Sequence, residues 1–228
     1  MISVIIPALD EQAAIAATLR AAARESEVGE IILVDGGSID GTLEVARATA
    51  LGPRLRIITA LRGRAAQMNA GARIATGEWL LFLHADTLLP AGAGAAIVRV
   101  DGGFGGFRQQ FDVRDWRLRL VSALHNFRCR RSGVLYGDQA MFVRRALFES
   151  MGGFPQVAHL EDVMLSERLL ERGAPALLPL AVVTSARKFM HAGIWRSFVR
   201  CLGIIATYRW GPPGAVAGPA RRFFEDIR

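Results

Sequence analysis

Three carboxylates stand at points where a chain could use them. Asp86 ends the run Trp79-Leu80-Leu81-Phe82-Leu83-His84-Ala85, Asp35 ends Glu30-Ile31-Ile32-Leu33-Val34, and Asp162 follows Glu161 at the start of a helical pattern. A buried carboxylate without a partner is costly, so several at one edge ask for a cation or a donor-rich ligand. Asp86 in particular suits a hard cation with oxygen ligands, Mg2+ or Mn2+. Ser38, Arg62 and Arg64, between Asp35 and Asp86 in sequence, suit the hydroxyls and phosphates of a nucleotide. Plainer readings stand beside these. Asp86 starts a turn ahead of Thr87 and Pro90, Asp162 caps its helix, and Glu161 is a first-turn acid favoured by the helix dipole.

The elements that must hold these groups read as alternating strands and helices. Residues 3–6 form a β-branched strand closed by Pro7, which cannot serve a following central strand. Residues 10–24 read as a helix with acid in its first turn, from Asp10 and Glu11. Residues 30–34 form a second buried strand, and residues 36–42 a tight loop before a helix over 42–50. A strand over 55–59 leads into Arg62-Gly63-Arg64 and a helix carrying Gln67, Asn69 and Gly71. The run 79–86 is the fourth strand, apolar enough to be covered on both faces. Four strands alternating with helices over roughly 85 residues call for a parallel sheet. In such sheets ligands collect outside the carboxyl ends of the strands, where Asp86 would sit.

Beyond Pro90 the reading continues with a helix over 91–100 and a glycine-rich hinge, residues 102–106, into a strand over 107–113. A helix over 114–131 has Trp116, Leu120, Leu124 and Phe127 on one side and arginines elsewhere. Tyr136-Gly137-Asp138-Gln139 is a turn before a short strand over 140–143. A helix starting at Glu161-Asp162 runs to about residue 172, where Gly173 stops it. Residues 177–184 form a last strand. Further on, Trp195, Phe198, Val199, Leu202, Ile205 and Ala206 share one helical face, with Arg196, Arg200 and Thr207 away from it. Such a helix packs on its own domain or a twin subunit, or lies in a membrane interface with Arg209, Arg221 and Arg222 extending its basic face.

Bulk properties set the frame. The 228 residues are 51% hydrophobic and 21% charged, which describes a core-forming chain and not a disordered one. The net charge of +7 is almost wholly arginine, Lys188 being the only lysine, and it suits anionic partners. Nucleic acid is not expected, because charge alone would carry it. The N-terminus lacks the basic and small-residue features of a signal peptide, and no apolar run reaches the length of a transmembrane helix. Cys129 and Cys201 match no metal or redox spacing, which predicts reduced thiols in a cytosol. There is no G-x-x-x-x-G-K-[ST] loop and no G-x-G-x-x-G after the first strand, so neither a P-loop enzyme nor a dinucleotide fold is expected.

Several motifs in order carry a resemblance. Ser3-Val4-Ile5-Ile6-Pro7-Ala8-Leu9-Asp10-Glu11, Val34-Asp35-Gly36-Gly37-Ser38-Ile39-Asp40-Gly41-Thr42, the stretch from Arg64 to Gly71, and His84-Ala85-Asp86 resemble the family 2 glycosyltransferases of GT-A fold. Tyr136-Gly137-Asp138-Gln139-Ala140, Gly152-Gly153-Phe154-Pro155, Glu161-Asp162-Val163 and Thr184-Ser185-Ala186-Arg187 resemble a small bacterial subgroup of it. The resemblance implies an α/β fold, a GT-A type mainly parallel sheet flanked by helices, with a helical C-terminal extension. It places a nucleotide-binding half in residues 1–100, an acceptor half in 101–190 and an amphipathic extension in 191–228.

By the same resemblance, Pro7, Ala8 and Glu11 border the nucleoside and Asp35 faces base or ribose. Ser38, Arg62, Arg64, Asn69 and Ala85 complete the nucleotide side. Asp86 matches the last aspartate of the D-x-D element and holds Mg2+ or Mn2+ on the donor diphosphate. Asp162 matches the general base, with Glu161 beside it, and Gly137, Asp138, Gln139 and Arg187 meet donor sugar or acceptor. The implied reaction is inverting transfer of one sugar from a nucleotide-sugar donor, UDP- or GDP-linked, to a hydroxyl acceptor. His84 replaces the first D-x-D aspartate, so the metal rests on Asp86 alone or takes help from His84 or His191. The Q-x-x-R-W motif of processive relatives is absent, Arg187-Lys188-Phe189 being a loose echo, which argues against polymer synthesis. The alternatives are a nucleotidyltransferase of related fold, whose glycine-rich basic signature Pro7-Ala8-Leu9-Asp10-Glu11 lacks, and a non-catalytic nucleotide- or membrane-binding module. Peripheral contact with the inner face of the membrane and a homodimer are both compatible with the C-terminal stripe.

Overall fold

The computed structural model describes residues 1–157 and 159–211. Continuous apolar runs become strands buried on both faces. β1 (Ile2–Ala8), β2 (Val28–Asp35), β3 (Leu55–Thr59) and β4 (Trp79–Phe82) lie parallel, and the intervening residues form α1 (Ile15–Ala23), α2 (Thr42–Arg47) and α3 (Arg64–Ile74). After β5 (Thr87–Leu88) and α4 (Ala93–Val98) the chain adds β6 (Phe104–Phe111), α5 (Trp116–Ser132), β7 (Phe142–Arg144), α6 (Arg145–Ser150), α7 (Glu161–Leu170), β8 (Ala176–Thr184), α8 (Arg187–Ala192) and α9 (Ile194–Trp210). All the strands join one sheet in the order β3-β2-β1-β4-β7-β6-β8-β5. β7 runs antiparallel to β4 and β6, β8 runs parallel to β6, and β5 closes the edge antiparallel to β8.

Strand alternation divides the core in two. Val4, Ile6, Leu33 and Leu81 pack with Ile15 and Leu19 of α1 and Ile97 of α4 on one face. Ile5, Ile32, Val34 and Phe82 pack with Met68 of α3, Phe148 and Leu165 on the other. A smaller cluster of Leu118, Val121, Ala186 and Ile194 ties α5, α8 and α9 together. Among the described residues no helix is long and apolar enough to cross a membrane, and Cys129 and Cys201 are free thiols.

Three expectations are corrected. β1 continues through Pro7 to Ala8, because β4 has left its side by then: their pairing ends at Ile5 and Phe82, so the missing Pro7 N–H is not needed there. α1 starts at Ile15, so Asp10 and Glu11 are not in its first turn. Residues 10–12 instead bond the loop after β2, through Ile39 N–H to Asp10 Oδ1 (2.9 Å), Glu11 N–H to Thr42 Oγ1 (2.8 Å) and Gln12 N–H to Asp40 Oδ2 (3.1 Å). Short polar side chains that hold loop amides compete with helix formation. β4 stops at Phe82, and residues 83–86 are a connection rather than strand.

The stripe expected on α5, Trp116, Leu120, Leu124 and Phe127, faces solvent, 41% to 68% exposed. The helix buries Leu118, Val121, Ser122, Asn126 and Cys129 instead. Its attachment to β6 is partly polar, with Gln109 N–H donating to Asn126 Oδ1 (2.9 Å) and Asn126 Nδ2 to the Gln109 carbonyl (2.8 Å). α9 buries Ile194, Ser197 and Ile204, while Trp195, Val199 and Leu202 stay exposed. Arg221 and Arg222 lie outside the described residues.

Candidate active site

Because β1, β2, β3 and β4 are parallel, their carboxyl ends meet at one rim. Ala8 pairs with Asp35, and Asp35 with Thr59. Two strand-end carbonyls there, of Ala8 and Val34, are both capped by Gln67 Nε2 at 2.8 Å, which fixes the spacing of β1 and β2. Pro7 and Ala8 are buried in this rim. Asp35 is 3% exposed and turns back on its own loop: it accepts Gly37 N–H (2.9 Å) and Ser38 Oγ–H (2.5 Å). Ser38 Oγ in turn accepts Asp10 N–H at 3.0 Å. Arg62 is exposed on the loop after β3. Ala85 is buried, and its carbonyl accepts Thr18 Oγ1–H at 2.8 Å. Asn69 departs from expectation. Its amide bonds Phe154 at both ends, Nδ2 to the carbonyl (2.8 Å) and Oδ1 from N–H (2.9 Å), so it braces residues 153–154 rather than a nucleotide.

At the centre of the rim, Asp86 meets charges delivered by α8. Arg187 Nη2 is 3.5 Å from Asp86 Oδ2 and also donates to Glu11 Oε2. Burial holds the Glu11 carboxyl above its usual range, although Arg187 pulls the other way. Lys188 is lowered by burial, with Asp86 and Glu11 opposing. Arg187 was anticipated; Lys188 was not, and its only sequence signal was being the sole lysine. His191 is exposed on α8, away from a ligand set. Among the described residues no three His, Cys, Asp or Glu side chains converge as metal ligands. The donors present beside Asp86 therefore number fewer than three. That fits Mg2+ or Mn2+ only as a site shared with substrate phosphates, the common mode for a small hard cation.

The second carboxylate is fixed from across the sheet. Asp162 is the second residue of α7, which begins after Leu160, so it is not the N-cap. Its Oδ2 accepts Gly137 N–H at 2.5 Å and its Oδ1 accepts Val163 N–H at 2.8 Å. Gly137 opens the 3-10 turn Gly137–Gln139. A pocket lined by Met68, Phe82, Met141 and Phe154 on its apolar side holds His84, Glu161 and Asp162 together with Gly137. Thus His84, two residues before Asp86 in the chain, lines the pocket that holds Asp162 and also feels the charge of Asp86. Burial and the charge of Arg64 push His84 down to about 4, so the ring is neutral near pH 7. That disfavours a cationic role and leaves the ring a neutral imidazole.

Asp138 and Gln139 diverge in use. Burial alone would raise Asp138, but His125 from α5, 3.3 Å away, and His84 hold it below its ordinary value. His125 was missed, since nothing in the helical pattern marks it. Gln139 is 1% exposed and spends its amide on the fold, accepting Tyr136 N–H (3.1 Å) and donating to the Phe107 carbonyl (3.2 Å). It shapes the turn and leaves little for a ligand.

Two expected results follow from this geometry. A Cβ on Gly137 would stand 2.6 Å from His84 Nε2 and 3.0 Å from Asp162 Oδ2, so Gly137→Ala displaces two side chains rather than backbone. Activity should fall about 100-fold with a stability loss of only about 1 kcal/mol, read by initial rates and thermal melting. An unchanged rate would show that His84 and Asp162 need not stay where they are. The second concerns Glu161, 3% exposed, whose carboxyl burial pushes up to about 7 against the pull of Arg64 at 3.9 Å. Its folded pKa is raised, so its stabilising contribution is present below about pH 4.5 and is lost as pH rises to about 7. His84, depressed, works oppositely and costs stability as pH falls below 6.5. Glu161→Gln should therefore remove the loss between pH 4.5 and 7, at most about 3 kcal/mol, and leave the acid-side loss. Melting curves across that range test the assignment.

A mainly parallel sheet flanked by helices, its first four strands extended through antiparallel β7 to β6 and β8, is the GT-A fold of glycosyltransferases. The sequence model described as Glycosyl transferase family 2 matches residues 3–151, and the chain belongs to that family. PGL/p-HBAD biosynthesis glycosyltransferases of Mycobacterium bovis and Mycobacterium tuberculosis are 46% identical over 93 residues, 39% of this chain. That match spans only 36% of those relatives. Among solved structures, the mannosyltransferase PcManGT of Pyrobaculum calidifontis, in complex with GDP-Man and Mn2+, is 23% identical with a TM-score of 0.70, over 99% of this chain and 69% of that one. Glucosyl-3-phosphoglycerate synthase of Mycobacterium tuberculosis, with Mn2+, UDP and phosphoglyceric acid, gives 0.62 at 18% identity, over 94% and 80%. S. aureus TarS 1-349 with UDP-GlcNAc gives 0.64 at 17%, over 90% and 65%. At these identities the structures establish the shared fold.

Proposed function

We propose that this chain moves a single sugar from a nucleotide-sugar donor to an acceptor hydroxyl, with inversion and with a divalent cation. The observation that carries it is the pocket in which Asp162, locked by Gly137 N–H, lies with Glu161 and with His84, two residues from Asp86 in the chain. In this reading residues 1–100 hold the nucleotide, with Pro7, Ala8, Glu11, Asp35, Ser38, Arg62, Arg64 and Ala85 around it. Residues 101–190 hold the acceptor, with Gly137, Asp138 and Arg187 near the transferred sugar. The similar structures solved with GDP-Man, UDP and UDP-GlcNAc support a nucleotide-sugar donor.

Asp86 would hold Mg2+ or Mn2+ against the donor diphosphate, where the ion would offset the charge that develops on the leaving group. Asp162 accepts the proton of the acceptor hydroxyl as its oxygen bonds the anomeric carbon. The bond from that carbon to the phosphate oxygen breaks on the opposite side, so one displacement inverts the centre. Arg64, Arg187 and Lys188 face the departing diphosphate. Glu161 orients Asp162 and, when protonated, adds no second negative charge beside it.

The test is thermal shift with UDP-, GDP-, CDP- and dTDP-sugars, with and without Mn2+, followed by nucleoside diphosphate release with the stabilising donor. One donor class should raise the melting temperature by several degrees at about 100 times its Kd, more with the cation. If every donor leaves the melting curve unmoved, the reading fails.

A further inference from the structure

The outward faces of α5 and α9 form a surface that the transferase reading does not use. Leu120, Leu124 and Phe127 of α5, and Val199 and Leu202 of α9, are exposed at 41% to 64%. Trp116 and Trp195 meet edge to face with ring centroids 6.3 Å apart, which joins the two stripes at their N-terminal ends. The two helices together carry eight arginines and no Asp or Glu, so their charge alone exceeds the +7 of the whole chain. Arg119, Arg130, Arg131 and Arg196 are exposed. Arg117 is neutralised by Asp115 at 2.7 Å and Arg209 by Glu167 at 2.9 Å.

We propose that this composite face docks on an anionic lipid bilayer. Aliphatic and indole side chains ringed by guanidinium groups match the boundary between acyl chains and acidic headgroups. A second copy of the chain is a poor fit. A twofold contact would set the same face against itself, bringing arginines together with no carboxylate in either helix to pair them. Nucleic acid would satisfy the arginines and stack on the tryptophans, but leaves Leu120, Leu124, Val199 and Leu202 without a role.

The inner sides of these helices place the surface beside the cleft. His125 of α5 reaches Asp138, and Tyr208 of α9 donates to Glu167 of α7 (2.8 Å), the helix that begins with Glu161 and Asp162. A docked molecule therefore holds α7 and Asp162 one helix layer from the headgroups. That nearness favours an acceptor hydroxyl borne on a lipid, a consequence that rests on the transferase reading; the docking itself does not.

Flotation of the full chain with phosphatidylcholine vesicles, with and without about one third phosphatidylglycerol, tests the surface. The chain should float with the anionic vesicles and release as salt rises toward about 1 M. The triple change Leu124→Gln, Val199→Gln, Leu202→Gln should lower partition at least about tenfold, and Arg130→Gln, Arg131→Gln, Arg196→Gln by a similar factor. Both sets should keep the melting temperature and donor hydrolysis, since none of these residues enters the cleft. The proposal is overturned by absence of flotation, or by flotation that both sets leave intact. It is equally overturned by a solution dimer that the aliphatic changes dissociate, or by duplex DNA binding that only the arginine changes abolish. Flotation as expected with no donor hydrolysis in any form would uphold the surface and count against the transferase reading.

Discussion

Asp162→Asn should lower the transfer rate by about 1,000-fold while donor binding stays within about threefold of the parent chain. The carboxylate is held by two backbone N–H groups, from Gly137 and Val163. An amide offers one oxygen for two donors, so one N–H would face an NH2 group, and the variant should also lose about 1 to 2 kcal/mol of stability. Its main defect lies elsewhere: the amide cannot take a proton from an incoming hydroxyl. Rates measured at saturating donor and acceptor separate the two effects, because a folding defect lowers active fraction and a missing base lowers kcat. Transfer by Asp162→Asn within about twofold of the parent, in protein shown to be folded, would remove Asp162 from the chemistry.

Asp86→Ala should abolish the cation's effect on donor binding and cost about 1,000-fold or more in rate. The acid is 7% exposed in its side chain and stands 3.5 Å from Arg187. Removing it frees that guanidinium, which keeps its bond to Glu11, so the rim retains positive charge and nucleotide affinity without cation should change little or rise. The decisive reading is the ratio of UDP or GDP affinity with and without Mn2+, by calorimetry. In the parent chain that ratio should exceed about tenfold, and in Asp86→Ala it should be near unity. A ratio that survives the substitution would mean the ion sits elsewhere.

Much of the frame was legible because buried parallel strands read as unbroken apolar runs. Residues 31–34 and 79–82 announced both strand and burial, and the carboxylates after them announced the rim. β3 was legible to the residue. Less legible were elements whose faces are decided by neighbours. The stripe of Trp116, Leu120, Leu124 and Phe127 is a sound helical period, yet a period says only that a face exists. β6 supplied a polar partner for Ser122 and Asn126, and that choice sent the aliphatic side outward. The backbone partners of Asn69 and Gln139 were not legible for a similar reason, since an amide side chain gives no sign of which backbone it will satisfy.

By itself the sequence determined the alternation of strands and helices, the order of the motifs and the positions of Asp35 and Asp162 relative to their elements. These follow from local polarity and period, which need no knowledge of distant residues. Only the tertiary structure decided what each acid faces: Asp35 its own loop, Asp86 the Arg187 of α8, Asp162 the amide of Gly137. The partners of Asp86 and Asp162 come from far along the chain, and the geometry that joins them exists only once β7 and β6 extend the sheet beyond β4. Short-range pattern specifies elements; the environment of a charge is set by what folding brings beside it.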